Sequence, residues 1–127
     1  MKQSHVIFPC GNIKLEGIFF EAEGKKLVPA VVICHPHPLY GGSMHNNVTC
    51  AIAEFLTAKA ISALLFNFRG VGRSEGQHGG GVAEQQDIGA ALDWLQAQST
   101  ISPMKLGLAG YSFGASVALP VACAAGN

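Results

Sequence analysis

The chain has 127 residues, of which 49% are hydrophobic and only 13% are charged. Eight basic and eight acidic side chains cancel, so the composition gives no support for binding to nucleic acid or to an anionic membrane surface. No stretch approaches the ~20 apolar residues of a membrane span, and the N-terminus lacks the apolar segment of a secretory signal. We therefore expect one domain over residues 1–127, located in the cytoplasm.

The four cysteines are widely scattered and form no C-x-x-C pair. This spacing favours buried small hydrophobic side chains over a disulfide framework or a metal site. The cysteines are Cys10, Cys34, Cys50 and Cys123.

Two early segments, His5–Phe8 and Ile13–Glu21, have the pattern of strands and are separated by a turn signal at residues 9–12. They predict an antiparallel pair at one edge of a sheet. The unbroken apolar run Ala30–Cys34 is typical of a strand that is covered on both faces. The next segment, His35–Gly42, carries two prolines and two glycines and is predicted to be neither helix nor strand.

A first amphipathic helix follows, and its spacing places one set of apolar side chains on the core face. These side chains are Val48, Ala51, Ile52, Phe55 and Leu56. Ser62–Phe68 is predicted as a second buried strand, followed by the turn-rich segment Arg69–Gly76.

Ile88, Ala91, Leu92 and Leu95 indicate a second amphipathic helix, which we expect Ser99–Pro103 to terminate. Lys105–Tyr111 is predicted as the third buried strand, and a third helix begins at Phe113. Pro120 removes a backbone donor at a cost of ~3 kcal/mol in a helix interior, so we expect this helix to kink or stop near Leu119. The alternation predicts an α/β fold with a mostly parallel sheet and flanking helices.

Ser112 lies in the sequence Gly110-Tyr111-Ser112-Phe113-Gly114, which has the G-x-S-x-G pattern of a nucleophile elbow. A serine between a strand and a helix needs a tight turn with strained backbone angles, and glycines two residues away avoid a collision. We expect a positive φ at Ser112 and a Phe113 N–H that points at a developing oxyanion.

The segment His35–Gly42 follows the first parallel strand, where the second oxyanion donor of such a site arises. Because Pro36 and Pro38 have no N–H, the donor is His37, Leu39, Tyr40 or a following glycine. We expect the His35 and His37 side chains to bond loop backbone, since a zinc site would need further ligands at suitable spacing.

Two further motifs are interpreted as structural. Gly70-Val71-Gly72-Arg73-Ser74-Glu75-Gly76 resembles a dinucleotide fingerprint, but its third glycine comes one position late and no Walker lysine is present. Asp87 and Asp93 on the second helix are expected to be surface or capping carboxylates.

Taken in order, the segments at residues 35–42, 67–76 and 110–114 resemble the α/β-hydrolase superfamily, in particular its small bacterial serine hydrolases of the dienelactone-hydrolase and prolyl-oligopeptidase branch. The resemblance covers nearly the whole chain. It implies that Ser112 is the nucleophile, that the N–H groups of Phe113 and His37 form the oxyanion hole, and that an acyl substrate is used without cofactor or metal.

No Asp, Glu or His follows Ser112, although the family places its triad acid and base after the serine. The chain therefore looks like the N-terminal part of such a hydrolase, an incomplete domain that ends after the elbow helix. One hypothesis is a serine hydrolase of ester, thioester or amide bonds; the alternative is an inactive hydrolase-like fragment or a binding and assembly module. We expect negligible esterase activity for residues 1–127 alone, and self-association through the exposed last strand.

Overall fold

A five-stranded mixed sheet with helices on both faces forms the fold. The computed structural model describes residues 2–24 and 27–125. In chain order the elements are β1 Lys2–Cys10, β2 Ile13–Glu21, β3 Val28–Cys34, α1 Asn47–Ala58, β4 Ser62–Phe66, α2 Glu84–Gln96, β5 Ile101–Gly110 and α3 Phe113–Ala125, with a short 3-10 turn at Pro38–Tyr40.

The spatial order of the strands is β1-β2-β4-β3-β5. β1 and β2 pair antiparallel, as do β2 and β4, whereas β4, β3 and β5 run parallel. The predicted antiparallel edge and parallel sheet are therefore confirmed. Because the carboxyl ends of parallel strands meet at one edge, the segments that follow β3, β4 and β5 lie together there.

Side chains that alternate along the central strands build a core on each face of the sheet. In β4, Leu64 and Phe66 join the larger cluster, which contains Ile88 of α2 and Val117 of α3. Leu65 points to the other face and joins the smaller cluster. The continuous apolar runs of the sequence follow from this burial on both sides.

Helix α1 buries only part of the face that its apolar residues predict. Ile52 and Leu56 are partly buried against the smaller cluster. Val48 and Phe55 are 40% and 63% exposed, whereas Thr49, Ala53 and Thr57 are buried. Each threonine hydroxyl donates to a carbonyl of its own helix turn or cap, at 3.1 Å for Thr49 and 2.9 Å for Thr57. With the hydroxyl satisfied in this way, a threonine methyl packs in the core without an unpaired polar group.

Strand β5 begins four residues earlier than predicted and includes Pro103. Val28 pairs with Ile101 before the register shifts, and Ala30 then pairs with Leu106. This irregularity, together with the edge position of β5, accommodates a proline that has no N–H to donate. The segment that was expected to end α2 is therefore also the start of the strand.

Helix α3 continues through Pro120 to Ala125, so it does not stop near Leu119; the kink, which was the other expected outcome, stays a prediction. Pro120 is exposed, and its ring removes only one backbone donor. Water can reach the carbonyl that loses its partner, which makes the defect tolerable at a surface position.

Cys10 and Cys34 are buried and Cys50 is partly buried, as expected, but Cys123 is exposed on α3. No disulfide joins cysteines of the described residues. Within those residues no helix is long and apolar enough to cross a bilayer.

Candidate active site

Ser112 occupies the turn between β5 and α3 with a φ of 58°, in the left-handed region. Its side chain is exposed. A Cβ added to Gly110 would lie 2.5 Å from the Ala115 nitrogen, and one added to Gly114 would overlap the Cys34 carbonyl oxygen. The positive φ and the need for glycine on both sides confirm the predicted geometry of the turn.

The backbone around Ser112 is tied to the sheet and to the first turn of α3. Tyr111 N–H donates to the Cys34 carbonyl at 3.2 Å, and Ala115 N–H donates to the Ser112 carbonyl at 3.0 Å. Phe113 is the first residue of α3, where a helix leaves its N–H groups without an intrahelical acceptor. Among the described residues, none accepts a hydrogen bond from Phe113 N–H.

The loop after β3 uses most of its backbone donors internally. Leu39 N–H donates to His37 Nδ1 at 3.1 Å, while Tyr40 and Gly42 N–H both donate to the His37 carbonyl. Gly41 N–H donates to the Pro38 carbonyl. Of the donors considered from the sequence, His37 N–H alone has no acceptor within the part of the chain that the structure describes.

His35 is fully buried and has a structural role, as predicted. Phe68 N–H donates to Nε2 at 3.1 Å, so the proton lies on Nδ1, which donates to the Pro36 carbonyl at 2.7 Å. Burial lowers the pKa of His35, although the Pro36 contact acts in the opposite direction. A neutral imidazole therefore links the β3 loop to the segment after β4.

The segment after β4, residues 67–83, is held in part by a hydrogen-bond network at residues 67–74. The sequence pattern predicts a structural loop here but does not predict this network. Glu16 on β2 is buried and accepts from Arg73 N–H at 2.6 Å and from Asn67 Nδ2 at 2.8 Å. His5 Nε2 lies 2.8 Å from the same carboxylate. Burial alone would raise the pKa of Glu16, but these hydrogen bonds outweigh it and lower the pKa.

Through Asn67 the network reaches the residues that follow the loop after β3. Asn67 Oδ1 accepts from Met44 N–H at 2.8 Å, and the Asn67 carbonyl accepts from the Ser74 hydroxyl at 2.7 Å. Glu16 N–H in turn donates to Ser74 Oγ at 3.0 Å. Asn67 therefore connects β2, the segment after β4 and the residues that lead into α1.

Asp87 is fully buried, so the prediction of a surface or capping carboxylate is wrong for this residue; Asp93 is exposed as expected. Asp87 Oδ1 accepts from Arg69 Nη2 at 2.7 Å and Nε at 3.0 Å, and Oδ2 accepts from Arg69 N–H at 2.9 Å. The Asp87 hydrogen bonds raise the pKa of Arg69. Helix periodicity places Asp87 beside Ile88 and Ala91 but gives no sign of the arginine that makes its burial possible.

Glu84 and His78 were not singled out from the sequence. Glu84 is fully buried and accepts from Gly79 N–H at 2.7 Å and Gly81 N–H at 3.0 Å. His78 Nδ1 lies 3.3 Å from Glu84 Oε2, but the alignment is too poor for a hydrogen bond. A glutamate in the first turn of a helix after three glycines is a sequence signal for such a cap.

The structure brings His37 and Phe113 together, with their ring centroids 4.6 Å apart. No group of three or more His, Cys, Asp or Glu side chains suited to a metal occurs among the residues described. The arrangement at this end of the sheet is an exposed Ser112 hydroxyl on a strained turn, the adjacent Phe113 N–H, and the His37 N–H of the loop after β3. Neither N–H has an acceptor among the described residues. Such an arrangement suits nucleophilic attack on a carbonyl.

Comparison with known proteins agrees with this geometry. The profile of the family described as X-Pro dipeptidyl-peptidase (S15 family) matches residues 22–126. An uncharacterized protein of Rickettsia prowazekii is 41% identical over 106 residues, which are 84% of this chain and 44% of the relative. The chain thus spans less than half the length of that relative.

Solved structures give the same result. An α/β serine hydrolase homologue from Coxiella burnetii has 36% identity and a TM-score of 0.85, covering 96% of this chain and 58% of its own. An α/β serine hydrolase without a lid from Xanthomonas campestris has 36% identity and a TM-score of 0.82, covering 98% and 57%. The chain belongs to the α/β-hydrolase superfamily of serine hydrolases, in the family described as X-Pro dipeptidyl-peptidase (S15 family).

Proposed function

We propose that this chain carries the nucleophile and the oxyanion donors of a serine hydrolase that cleaves an ester, thioester or amide bond in a small acyl substrate. The observation that carries the proposal is the geometry of Ser112, which is exposed on a turn with a φ of 58° between two sterically required glycines. Strain of this kind, of order 1–3 kcal/mol, persists where the surrounding structure enforces it and clusters at functional sites.

In the proposed reaction, Ser112 Oγ attacks the acyl carbonyl carbon and gives its proton to a general base. The carbonyl π electrons move to the oxygen, which accepts hydrogen bonds from Phe113 N–H and His37 N–H. Collapse of the intermediate expels the alcohol, thiol or amine with a proton and leaves an acyl-serine, which water then hydrolyses. No hydrogen bond to the Ser112 hydroxyl occurs within the described residues, so we assign no general base.

The pattern of hydrogen bonds supports His37 as the second donor. Leu39, Tyr40, Gly41 and Gly42 all donate to acceptors inside their own loop. Redirecting any of those N–H groups to a substrate would break the loop, whereas using His37 N–H would break nothing. The prolines at positions 36 and 38 contribute no donor.

Labelling with a fluorophosphonate tests the nucleophile, with the modified residue located by mass spectrometry. We expect slow but selective modification of Ser112, and its loss in Ser112→Ala. Ser116→Ala is the matched control, because Ser116 is also exposed but its hydroxyl donates to the Phe113 carbonyl at 2.7 Å. Modification of Ser112 no faster than that of Ser116, or equal in unfolded protein, would refute the proposal.

Turnover of short acyl esters by residues 1–127 should be negligible, since a serine without a base loses most of its advantage. Robust turnover that is abolished by Ser112→Ala would support the nucleophile and show that this chain itself supplies a base.

A second candidate is a hydrolase-like module that assembles with another chain. It is favoured by the position of β5 as the outer strand of the sheet, with Leu106 and Leu108 only half-buried. Selective labelling of Ser112 would argue for the enzyme, and association through β5 without labelling would argue for the module.

A further inference from the structure

Four aromatic rings pack together beside the proposed oxyanion donors. The Phe113 ring centroid lies 4.6 Å from His37, 5.7 Å from Phe68 and 5.7 Å from His78. His37 and His78 are themselves 5.3 Å apart. These four residues, called here the ring cluster, join α3 to both loops that flank the Ser112 turn.

Two members of the ring cluster are the residues whose N–H groups we propose as donors. The side chains of His37 and Phe113 contact each other across the gap between the β3 loop and α3. A ring contact at this distance restrains the two backbones that bear the rings. The separation of the two N–H groups is therefore linked to the packing of the two rings.

The His37 ring is restrained on its other side as well. Its Nδ1 accepts from Leu39 N–H, and the His37 carbonyl accepts from Tyr40 and Gly42. Turning the ring away from Phe113 would break the bond to Leu39. The His37 ring is therefore fixed to both α3 and the β3 loop, so that a shift of α3 would also shift the loop.

A third restraint comes from the residues before α2. Gly81 lies beside the Phe113 ring, which an added Cβ would meet at 3.5 Å, an ordinary van der Waals distance; the φ of 92° at Gly81 favours glycine. Glu84 holds this segment by accepting from Gly79 and Gly81 N–H. Phe113 thus lies between two segments that are each anchored elsewhere in the fold.

We propose that Phe113 is a positioning residue, whose ring holds the β3 loop so that the N–H groups of His37 and Phe113 keep the spacing that an oxyanion requires. The inference rests on the proposed function, because it assumes that these N–H groups are the donors. Oxyanion donors act within a narrow distance range, and a misplacement of 1 Å costs on the order of 10²-fold in rate.

The test measures the maximal rate of Ser112 modification by a fluorophosphonate, kinact, and the half-saturating concentration, KI. Phe113→Ala should lower kinact by about tenfold or more with little change in KI, since the missing ring affects the charge that develops during reaction rather than binding. Phe113→Leu should show a smaller loss. Phe55→Ala, which removes a ring that is 63% exposed on α1, should change neither constant.

Two substitutions at His37 separate the effect of the ring contact with Phe113 from the effect of the hydrogen bond that Nδ1 accepts from Leu39 N–H. His37→Phe keeps a ring against Phe113 but loses the acceptor for Leu39 N–H, whereas His37→Asn keeps an acceptor and loses the ring. If the ring positions the donor, His37→Asn loses more kinact than His37→Phe. If the loop needs only its internal hydrogen bonds, the order is reversed and the inference fails.

Thermal unfolding of each variant identifies any that do not fold, and the Phe113→Leu and His37→Asn results then decide the question. A wild-type Ser112 that is not labelled would overturn the proposed function and this inference together. A labelled wild type with kinact of Phe113→Ala and His37→Asn within twofold of it would overturn the inference alone.

Discussion

The segment between β4 and α2 and the turn that carries Ser112 lie at the same end of the sheet but are held by different forces. Residues 67–83 depend on three buried carboxylates, each of which accepts at least one N–H of that segment. These carboxylates are Glu16, Glu84 and Asp87. Charge-assisted hydrogen bonds of this kind are about twice as strong as neutral ones, and they depend on the ionisation of the acceptor.

The Ser112 turn has no such acceptor in the described structure and relies on close backbone packing. Gly114 lies against the Cys34 carbonyl and Gly110 lies against the start of α3. The stability of the turn therefore depends on the absence of a side chain at these two positions rather than on charge. Residues 67–83 should therefore lose stability at low pH or when a carboxylate is removed. The Ser112 turn should instead lose stability when a glycine beside it is replaced by a larger residue.

The largest effect is expected from Gly114→Ala, because the new Cβ would overlap the Cys34 carbonyl and neither backbone can move freely. We expect a loss of more than about 3 kcal/mol in the free energy of unfolding, measured by chemical denaturation. Gly89→Ala is the matched control: no atom lies within 4 Å of its added Cβ, and a helix interior gains up to about 1 kcal/mol from the change. Equal effects at the two glycines would contradict a turn held by close packing.

Asp87→Asn tests whether a buried carboxylate holds residues 67–83 in place. It removes the ion pair with Arg69, whose side chain is 17% exposed and so regains some solvation. We expect a loss of about 2 kcal/mol in unfolding free energy. Asp93→Asn, on the same helix but exposed, should change stability by less than about 0.5 kcal/mol. A loss below that level at Asp87 would show that the ion pair does not hold the segment.

Acid should lower the free energy of unfolding in two steps, because two of the groups that bond residues 67–83 become protonated. The pKa of His35 is lowered by burial, so its contribution is complete above 6.5 and is lost as pH falls through the folded value. The pKa of Glu16 is also lowered, so its contribution is lost below 4.5 in the same sense. Each group accounts for at most about 1.4 kcal/mol per pH unit.

Denaturation at pH values from 8 to 3 measures both steps. Glu16→Gln should remove the lower step and leave the upper one, since His35 contacts Pro36 and Phe68 rather than Glu16. Identical pH profiles for the wild type and Glu16→Gln would disprove the assignment of the lower step.

The smallest effect concerns the two edges of the sheet. Each edge strand contains an exposed proline, Pro9 in β1 and Pro103 in β5. β1 also carries polar side chains, whereas β5 exposes Met104 at 88% beside half-buried leucines. We expect residues 1–127 to associate through β5 at micromolar concentration. Met104→Glu should weaken association about tenfold, or about 1.4 kcal/mol, in sedimentation. Ile7→Glu on β1 should have no effect, and a stable wild-type monomer would exclude this interface.

How much of the fold was predictable differs from element to element. The Ser112 turn was predicted correctly because its requirements are local: a strand, a helix and glycines two residues on either side. The central strands were predicted for a similar reason, since burial on both faces leaves a continuous apolar run. The core face of α1 was predicted only in part, because the hydroxyls of Thr49 and Thr57 bond to carbonyls of the cap and of the helix, which hydropathy cannot register.

The sequence by itself determined the order of strands and helices, the identity of the exposed serine and the loop from which we propose the second oxyanion donor. Only the tertiary structure decided that Asp87 is buried against Arg69. It also brought the rings of His37 and Phe113 together across 76 positions of sequence. The physical reason is that periodicity and turn chemistry act over a few residues, whereas a buried charge or a ring contact depends on a partner that the chain supplies from a distant element.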